Sequence, residues 1–406
     1  MTEIFLTIFF ISVLLFFLGS GVWVAISMIG VSTIGMILFT SRPVGDAMAT
    51  TIWGTSSSWT LTALPLFVWM GEILFRTRLS ENLFAGLSPW MQKLPGGLIH
   101  VNVVGCALFA AISGSSAATV ATVGKMSIPE LRKRKYPERI LLGSLAGSGT
   151  LGLLIPPSII LIIYGVTVQE SIAKLFIAGI LPGIMIALIF MSYVVIWSLI
   201  NKKSMPKYVE NFSFLEKIKK SKQLLPVIIL ISAVIGSIYT GVATATEAAS
   251  LGVVGALILS YFQGSLTVES FKLSLLGATK TSCMIAFILA GSTFLSLAMG
   301  FTGLPRNLAL WIQNMELSPY VLIFVLMIFY IILGMFLDGI SAVVLTMAII
   351  EPMIRQAGFD MIWFGIFLVI VVEMAQITPP VGFNLFVLQG MANKDMGFIA
   401  RSAFPL

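Results

Sequence analysis

The chain has 406 residues, of which 58% are hydrophobic and only 10% are charged. A soluble domain carries about 25% charged residues, and so few charges could not cover the surface of a water-soluble protein of this length. The composition therefore excludes a cytosolic enzyme, a disordered chain and a nucleic-acid-binding protein, and it predicts an integral membrane protein with several spans.

Seven apolar segments are candidates for simple membrane-spanning helices, because about 20 apolar residues cross the hydrocarbon core as a helix. In chain order they are Ile4–Leu18, Val22–Phe39, Leu61–Phe75, Gly183–Ile200, Leu224–Tyr239, Ala243–Phe262 and Ser282–Met299.

Four further apolar stretches are interrupted at their centres by small, polar or proline residues. They are Val101–Val123, Ile140–Val166, Val321–Ile350 and Met361–Gln389. Such interruptions persist in a membrane only where protein or water satisfies the backbone. We therefore predict two re-entrant helical hairpins, in the first and third stretches, and two broken helices, in the second and fourth.

The order of these segments repeats along the chain, and residues at the interruptions recur at a nearly constant spacing. Gly114 and Ser116 match Gly339 and Ser341 at a spacing of 225 residues. The proline pair at 156–157 matches the pair at 379–380 at a spacing of 223. Chance matching of two apolar halves does not predict this shared order, so we interpret the chain as a duplicated protein.

The basic residues predict how the two copies are oriented. With the N-terminus outside, every lysine and arginine lies on the inner side except Arg42, Lys174, Arg306 and Arg355, as the positive-inside rule requires. The first copy then starts outside and the second starts inside. Inverted repeats with paired discontinuous helices are typical of secondary transporters whose binding site lies at the membrane midplane.

The first hairpin tip, Ser113–Thr119, brings hydroxyl groups and a glycine to a turn inside the membrane. Freed carbonyls and serine hydroxyls are hard oxygen ligands that suit a small cation, and helix N-termini favour an anion. Gly149, Thr150 and Gly152, before the first proline pair, supply the opposite wall. Close packing of small residues is the structural alternative for this tip.

The second hairpin tip holds Asp338 beside Gly339 and Ser341. A carboxylate in the middle of an apolar hairpin predicts a functional site. Asp338 can also cap the helix that follows it, and a capping carboxylate can still face a cation.

Neutral hydrogen-bonding groups surround the second break, namely Gln376, Thr378 and Asn384. Glu373 is expected toward the outer end of its helix. Ion binding and a structural hydrogen bond are equally favoured as its role. Glu72 lies four residues before Arg76, so we expect it to form an ion pair.

Four motifs together resemble one protein family. They are Phe109–Thr119, Gly149–Ser158, Thr246–Ala249 and Thr378–Asn384. The family is the large membrane subunit of tripartite ATP-independent periplasmic (TRAP) transporters, within the ion transporter superfamily. The resemblance covers essentially the whole chain and departs at Ala245, where the family often has proline.

The resemblance implies an all-α polytopic protein of the bacterial inner membrane, with a periplasmic N-terminus and two inverted repeats. Each repeat would contain a re-entrant helical hairpin and a broken transmembrane helix. The implied activity is elevator-type, Na+-coupled import of a small organic acid. A soluble periplasmic substrate-binding protein would deliver this acid, and a small four-helix membrane subunit would brace the scaffold in the lipid bilayer.

The resemblance also assigns roles to individual residues by position. One sodium site would use Ser113, Gly114, Ser115, Gly149, Thr150 and Gly152. The other sodium site would use Asp338, Gly339, Ser341, Thr378 and Gly382. The substrate carboxylate would lie near Ser116, Thr119, Gln376 and Asn384.

The predicted domains follow from the repeats and the resemblance. The first repeat, 1–200, comprises scaffold helices at 1–78, a transport-domain hairpin and broken helix at 79–182, and a linking helix at 183–200. A basic cytoplasmic linker at 201–223 leads to the second repeat, 224–406, with scaffold helices at 224–280 and transport-domain elements at 281–406. Pro182 precedes an apolar span whereas the matching Pro405 precedes only Leu406, so we expect the natural protein to continue into one further helix.

The main alternative is a stand-alone Na+- or H+-coupled dicarboxylate or citrate-type symporter of the same superfamily, which needs no binding protein. An intramembrane enzyme would need a nucleophile–base pair or clustered metal ligands. The only histidine, His100, and the sparse acids do not supply either. A passive channel is a further alternative, although hairpins facing broken helices favour alternating access.

Overall fold

The computed structural model describes residues 2–77, 79–206, 212–222, 224–305, 307, 310 and 318–405. Arg306, which the charge pattern assigns to the outer side, lies outside these residues, as do residues 207–211 of the basic linker. All regular secondary structure in the described part is helical. The predicted all-α fold is therefore confirmed.

The helices are labelled in chain order. In the first half they are α1 Thr2–Gly19, α2 Val24–Phe39, α3 Val44–Ser56, α4 Ala63–Phe75, α5 Leu79–Met91, α6 Ile99–Ser113, α7 Ser116–Lys133, α8 Glu138–Gly149, α9 Leu151–Leu154, α10 Ile159–Thr167 and α11 Ile172–Ile200. In the second half they are α12 Phe214–Ser221, α13 Leu225–Tyr239, α14 Ala245–Phe262, α15 Val268–Thr302, α16 Pro319–Gly334, α17 Gly339–Gln356, α18 Met361–Gln376, α19 Phe383–Ala392 and α20 Met396–Ala403. Short 3-10 turns lie at Trp59–Thr62 and Lys202–Ser204.

By length and composition, four of the described helices can each cross a membrane, namely α11, α14, α15 and α17. The number rises to seven if each of three bent helix pairs is counted as one span. The shorter apolar helices include α6, α16, α18 and α19, which are the limbs of the predicted hairpins and broken helices.

The two predicted hairpins are present. Helices α6 and α7 meet at Gly114, whose φ is 57°, and Ser115, whose side chain caps α7 by accepting from the Ala118 amide. A Cβ at position 114 would lie 2.9 Å from the Pro157 carbonyl oxygen, so glycine is needed there for both backbone conformation and space. Helices α16 and α17 meet at a turn that ends in Asp338.

The two predicted broken helices are also present. The first runs through α8, α9 and α10, and its chain leaves helical geometry between Leu154 and Ile159. The second runs through α18 and α19, interrupted between Gln376 and Phe383. Both proline pairs lie in these breaks, and each contains a cis peptide bond.

Three elements differ from the expected boundaries. Helix α3 was not predicted, because Val44–Ser56 is short and contains many polar residues. None of its residues is fully buried in the structure. Helix α11 runs without a break through Pro182, so the boundary proposed between 182 and 183 falls inside one helix. The boundary proposed between 280 and 281 likewise falls inside α15. The division into scaffold and transport domain stays a prediction.

The packing brings elements of the two repeats together. Helix α15 of the second repeat packs against α2, α3 and α4 of the first, and α14 packs against α4. The hairpins and broken helices also pair across repeats, with α7 against α19, α8 against α20 and α10 against α17. The two hairpin tips therefore reach one common region.

Candidate substrate and ion site

A cavity of about 550 Å³ lies where the two hairpin tips meet. Its other wall is formed by α4, through Gly71 and Glu72, and by α15, through Thr281. The sequence-predicted residues that line it are Ser113, Ser115, Ser116, Asp338, Gly339 and Gln376. A mostly apolar cavity with a few polar groups is the usual form of a small-ligand site.

The remaining sequence-predicted residues do not line this cavity. They are Gly114, Thr119, Gly149, Thr150, Gly152, Ser341, Thr378, Gly382 and Asn384. They lie behind the tips or in the broken helices, as described below, and the roles that the resemblance gives them stay predictions.

The hydroxyl groups of the first tip bind one another. The Ser113 and Thr119 hydroxyl oxygens are 2.8 Å apart, and the Thr119 hydroxyl donates to the Ser115 carbonyl oxygen at 2.8 Å. The Ser115 carbonyl also accepts from the Thr119 amide at 3.0 Å. These bonds fix the shape of the turn, and they leave Thr119 buried inside the hairpin rather than at the cavity.

The first broken helix supports this tip from behind. A Cβ at Gly152 would lie 2.6 Å from the Ser115 carbonyl oxygen and 2.7 Å from the Ser116 Cα, so only glycine lets α9 approach so closely. The Ile159 amide donates to the Gly114 carbonyl at 3.3 Å. Thr150 donates its hydroxyl hydrogen to the Gly147 carbonyl at 2.6 Å, and Gly149 lies beneath the Val120 side chain.

Asp338 is the N-terminal cap of α17, the second helix of the second hairpin, which confirms the predicted capping role. Its Oδ2 atom accepts from the amides of Ile340 and Ser341, both at 3.1 Å. The Gln376 side chain lies directly against this tip, because a Cβ at Gly339 would be 2.8 Å from the Gln376 Nε2 atom. Both the carboxylate and the amide therefore face the cavity from one side.

Among the sequence-predicted residues near the second tip and break, two have buried polar atoms without a partner in the part of the chain that the structure describes. They are the hydroxyl of Ser341, which is 1% exposed, and both amide atoms of Asn384, which is 0% exposed. Leaving a buried polar group unpaired costs about 1–3 kcal/mol, so these groups are available to bind water or a ligand. Thr378 instead donates to the Met374 carbonyl at 2.7 Å, and Gly382 has a φ of 53°.

Glu373 lies in the last turn of α18, beside the break, which corrects its expected position toward the outer end of the helix. It is 4% exposed, and its Oε1 atom accepts from the Ser116 hydroxyl of the first tip at 2.8 Å. Its Oε2 atom has no partner within the described ranges. At the spacing of 223 residues Glu373 is equivalent to Thr150, a match that could have indicated its depth beforehand.

The acid at the edge of the cavity is already paired. Glu72 accepts from Arg76 at 3.0 Å, which confirms the expected ion pair. Within the described ranges no group of three His, Cys, Asp or Glu side chains could hold a metal ion. The candidate ligands are instead hydroxyls, carbonyls, the Gln376 and Asn384 amides and the Asp338 carboxylate, which are hard oxygen donors.

Comparison with known proteins places the chain in a family. It matches the family described as "Tripartite ATP-independent periplasmic transporter, DctM component" over residues 10–406. The fold is similar to that of the YdaH transporter of Alcanivorax borkumensis, with a TM-score of 0.66 over 97% of this chain and 94% of that one. The two are only 12% identical, so this likeness concerns the fold alone.

Sequence relatives span most of the chain. The C4-dicarboxylate TRAP transporter large permease protein DctM of Pseudomonas aeruginosa is 33% identical over 93% of this chain and 88% of its own. The 2,3-diketo-L-gulonate permease YiaN of Escherichia coli is 31% identical, covering 88% and 84%. The sialic acid permease SiaM of Vibrio cholerae is 30% identical, covering 96% and 90%. The chain therefore belongs to the DctM family, the large multi-pass inner-membrane permease components of TRAP transporters.

Proposed function

We propose that this permease imports a small organic acid, delivered by a periplasmic substrate-binding protein, and couples the import to Na+ through an elevator movement. The observation that carries the proposal is that residues of both hairpin tips line one cavity. The relatives are named for C4-dicarboxylates, 2,3-diketo-L-gulonate and sialic acid, all of which are organic acids.

The substrate carboxylate would lie near the N-termini of two helices. Helix α7 begins at Ser116 and α17 begins at Gly339, and both residues line the cavity. The partial positive charge of a helix N-terminus favours an anion. This applies chiefly to α7, because Asp338 already accepts from the Ile340 and Ser341 amides of α17. Gln376 adds a side-chain hydrogen bond at the cavity, and Ser116, whose hydroxyl donates to Glu373, contributes the start of α7. Thr119 and Asn384 lie behind them.

Na+ is cargo in this mechanism, and two sets of oxygens would bind it. The first set is Ser113, Gly114 and Ser115 with Gly149, Thr150 and Gly152. The second set is Asp338, Gly339 and Ser341 with Thr378 and Gly382. The unpaired Ser341 hydroxyl supports the second set, as does Asp338, whose Oδ2 takes both capping bonds and leaves Oδ1 for a cation.

The elevator movement would carry the hairpins and broken helices past a scaffold that includes α2, α4, α13, α14 and the part of α15 before residue 281. Na+ and substrate would bind the same closed arrangement of the tips, which is what thermodynamic coupling of the two requires. With the N-terminus in the periplasm, the cavity edge at Glu72 and Thr281 faces the cytoplasm. We therefore propose that this arrangement is the inward-facing one.

The test is uptake into proteoliposomes that contain this permease and the small membrane subunit, with the binding protein and labelled acid outside. Uptake should require an inward Na+ gradient and both partners. Equal uptake without Na+ would refute the coupling. Uptake by this chain alone would instead favour the stand-alone symporter.

A further inference from the structure

Arg132 connects the first hairpin to the second repeat. It lies in the last turn of α7, and its Nη2 atom donates to the Ala392 carbonyl oxygen at 2.7 Å. The same guanidinium binds both carboxylate oxygens of Glu138, at 2.7 and 3.0 Å. Ala392 is the last residue of α19, where helix carbonyls lack intrahelical donors and carry partial negative charge.

Arg355 makes the corresponding contact from the second hairpin to the first repeat. It lies in the last turn of α17, and its Nη2 atom donates to the Val168 carbonyl oxygen at 3.1 Å. Val168 is the C-terminal cap of α10. The Arg355 guanidinium also pairs with Glu351 at 2.9 Å and lies 3.9 Å from Glu170.

The two contacts are equivalent under the internal repeat. Arg132 and Arg355 are 223 residues apart, the spacing of the two proline pairs, and the two acceptor carbonyls are 224 apart. A basic residue in the last turn of a helix is common because it stabilises that helix's own C-terminus. Here each arginine instead reaches the C-terminus of a helix in the opposite repeat.

We infer that Arg132 and Arg355 are positioning residues that fasten each hairpin to the broken helix of the opposite repeat. Both hairpins and both broken helices then move as one body, with one arginine contact at each end of that body. The statement about movement rests on the proposed elevator function. The fastening itself rests on the planar guanidinium, whose fixed fork binds a carboxylate while Nη2 also donates to a carbonyl; a lysine ammonium on its flexible stem lacks this fixed geometry.

Hydrogen–deuterium exchange on the permease with its small membrane subunit in nanodiscs tests the fastening. Arg132→Ala should speed amide exchange in α19, and Arg355→Ala should speed it in α10, each about three- to tenfold for loss of a partly exposed charged hydrogen bond. Lys133→Ala and Lys174→Ala are controls for the loss of a positive charge, because both lysines are exposed, Lys133 in the last turn of α7 and Lys174 in the first turn of α11. Unchanged exchange in α10 and α19, or an equal rise throughout, would overturn the inference.

Transport measurements test the movement as one body. Two sodium sites on rigidly joined tips should give a Hill coefficient for Na+ above one, and the Arg132→Ala/Arg355→Ala double variant should lower it toward one. Arg132→Lys should lie between, because it keeps a donor for Ala392 but loses the two-oxygen contact with Glu138. An unchanged coefficient in the double variant would overturn this part. Wild-type uptake without Na+ dependence would refute the proposed function and leave the exchange result to decide the fastening.

Discussion

At the scale of single residues, Asp338 combines a structural and a proposed ion-binding role, and the two can be separated. Asparagine caps a helix about as well as aspartate, whereas alanine caps poorly. Its neutral amide also keeps the shape of the side chain while removing the charge. The pair of substitutions therefore distinguishes the cap from the charge.

Asp338→Asn should leave the thermal stability of the purified permease near that of the wild type but raise the Na+ concentration for half-maximal uptake. Asp338→Ala should do the same and also cost about 1 kcal/mol of stability through loss of the cap. Uptake titrated with Na+, together with thermal unfolding, measures both effects. Wild-type sodium dependence in the asparagine variant would make Asp338 a cap only.

The bond between Ser116 and Glu373 is a second residue-scale test, because it joins the two repeats inside the protein. Ser116→Ala leaves the buried carboxylate without its donor and should destabilise the permease by about 1–3 kcal/mol. Glu373→Gln keeps an acceptor for the serine and should cost less. The double change Ser116→Ala/Glu373→Met removes both partners and should recover part of the loss. Additive effects in thermal unfolding would show that the two residues act independently.

At the scale of elements, the first tip depends on how closely α9 lies behind it. Gly152→Ala would put a Cβ 2.6 Å from the Ser115 carbonyl, so either α9 or the tip must shift. Uptake should fall strongly, because the shift moves the hydroxyls at the cavity. Gly390→Ala in α19 is the control, since its Cβ would meet nothing within 4 Å. Equal uptake by the two variants would contradict a close-packed tip.

The sequence predicts these elements well because their signals are local. Proline pairs and small or polar residues in the middle of apolar stretches mark the hairpins and the breaks. The bond between Ser116 and Glu373 was not predictable, because it depends on how the two halves dock. Helix α3 was missed for another reason: its polar residues resemble a loop, and no apolar stripe marks it. Arg132 and Arg355 share the repeat spacing, yet nothing in the sequence indicates their backbone partners.

At the scale of the whole molecule, the surface between the scaffold and the first tip is where sliding would occur. In α4, a Cβ at Gly71 would lie 2.9 Å from the Ile112 carbonyl oxygen of the first hairpin. A glycine at this contact brings the two backbones close together and leaves no side chain at position 71 to obstruct translation of the hairpin. The elevator proposal therefore predicts that Gly71 matters more for transport rate than for folding.

Gly71→Ala should reduce the maximal uptake rate several-fold while the variant still inserts and binds Na+ with near-wild-type affinity. Gly236→Ala, in scaffold helix α13 with nothing within 4 Å of its Cβ, is the matched control. Initial rates and sodium titrations in proteoliposomes distinguish the two. A loss of affinity without a loss of rate would contradict a sliding surface at α4.

The contacts of Arg132 and Arg355 with main-chain carbonyls each depend on only one side chain, that of the arginine. The acceptor in each case is a main-chain carbonyl, at Ala392 or Val168. Every amino acid supplies that oxygen, so mutational drift at positions 168 and 392 leaves the acceptor in place. Pairwise covariation between homologous sequences would therefore carry no trace of these contacts, and only the arginines themselves would be held by selection.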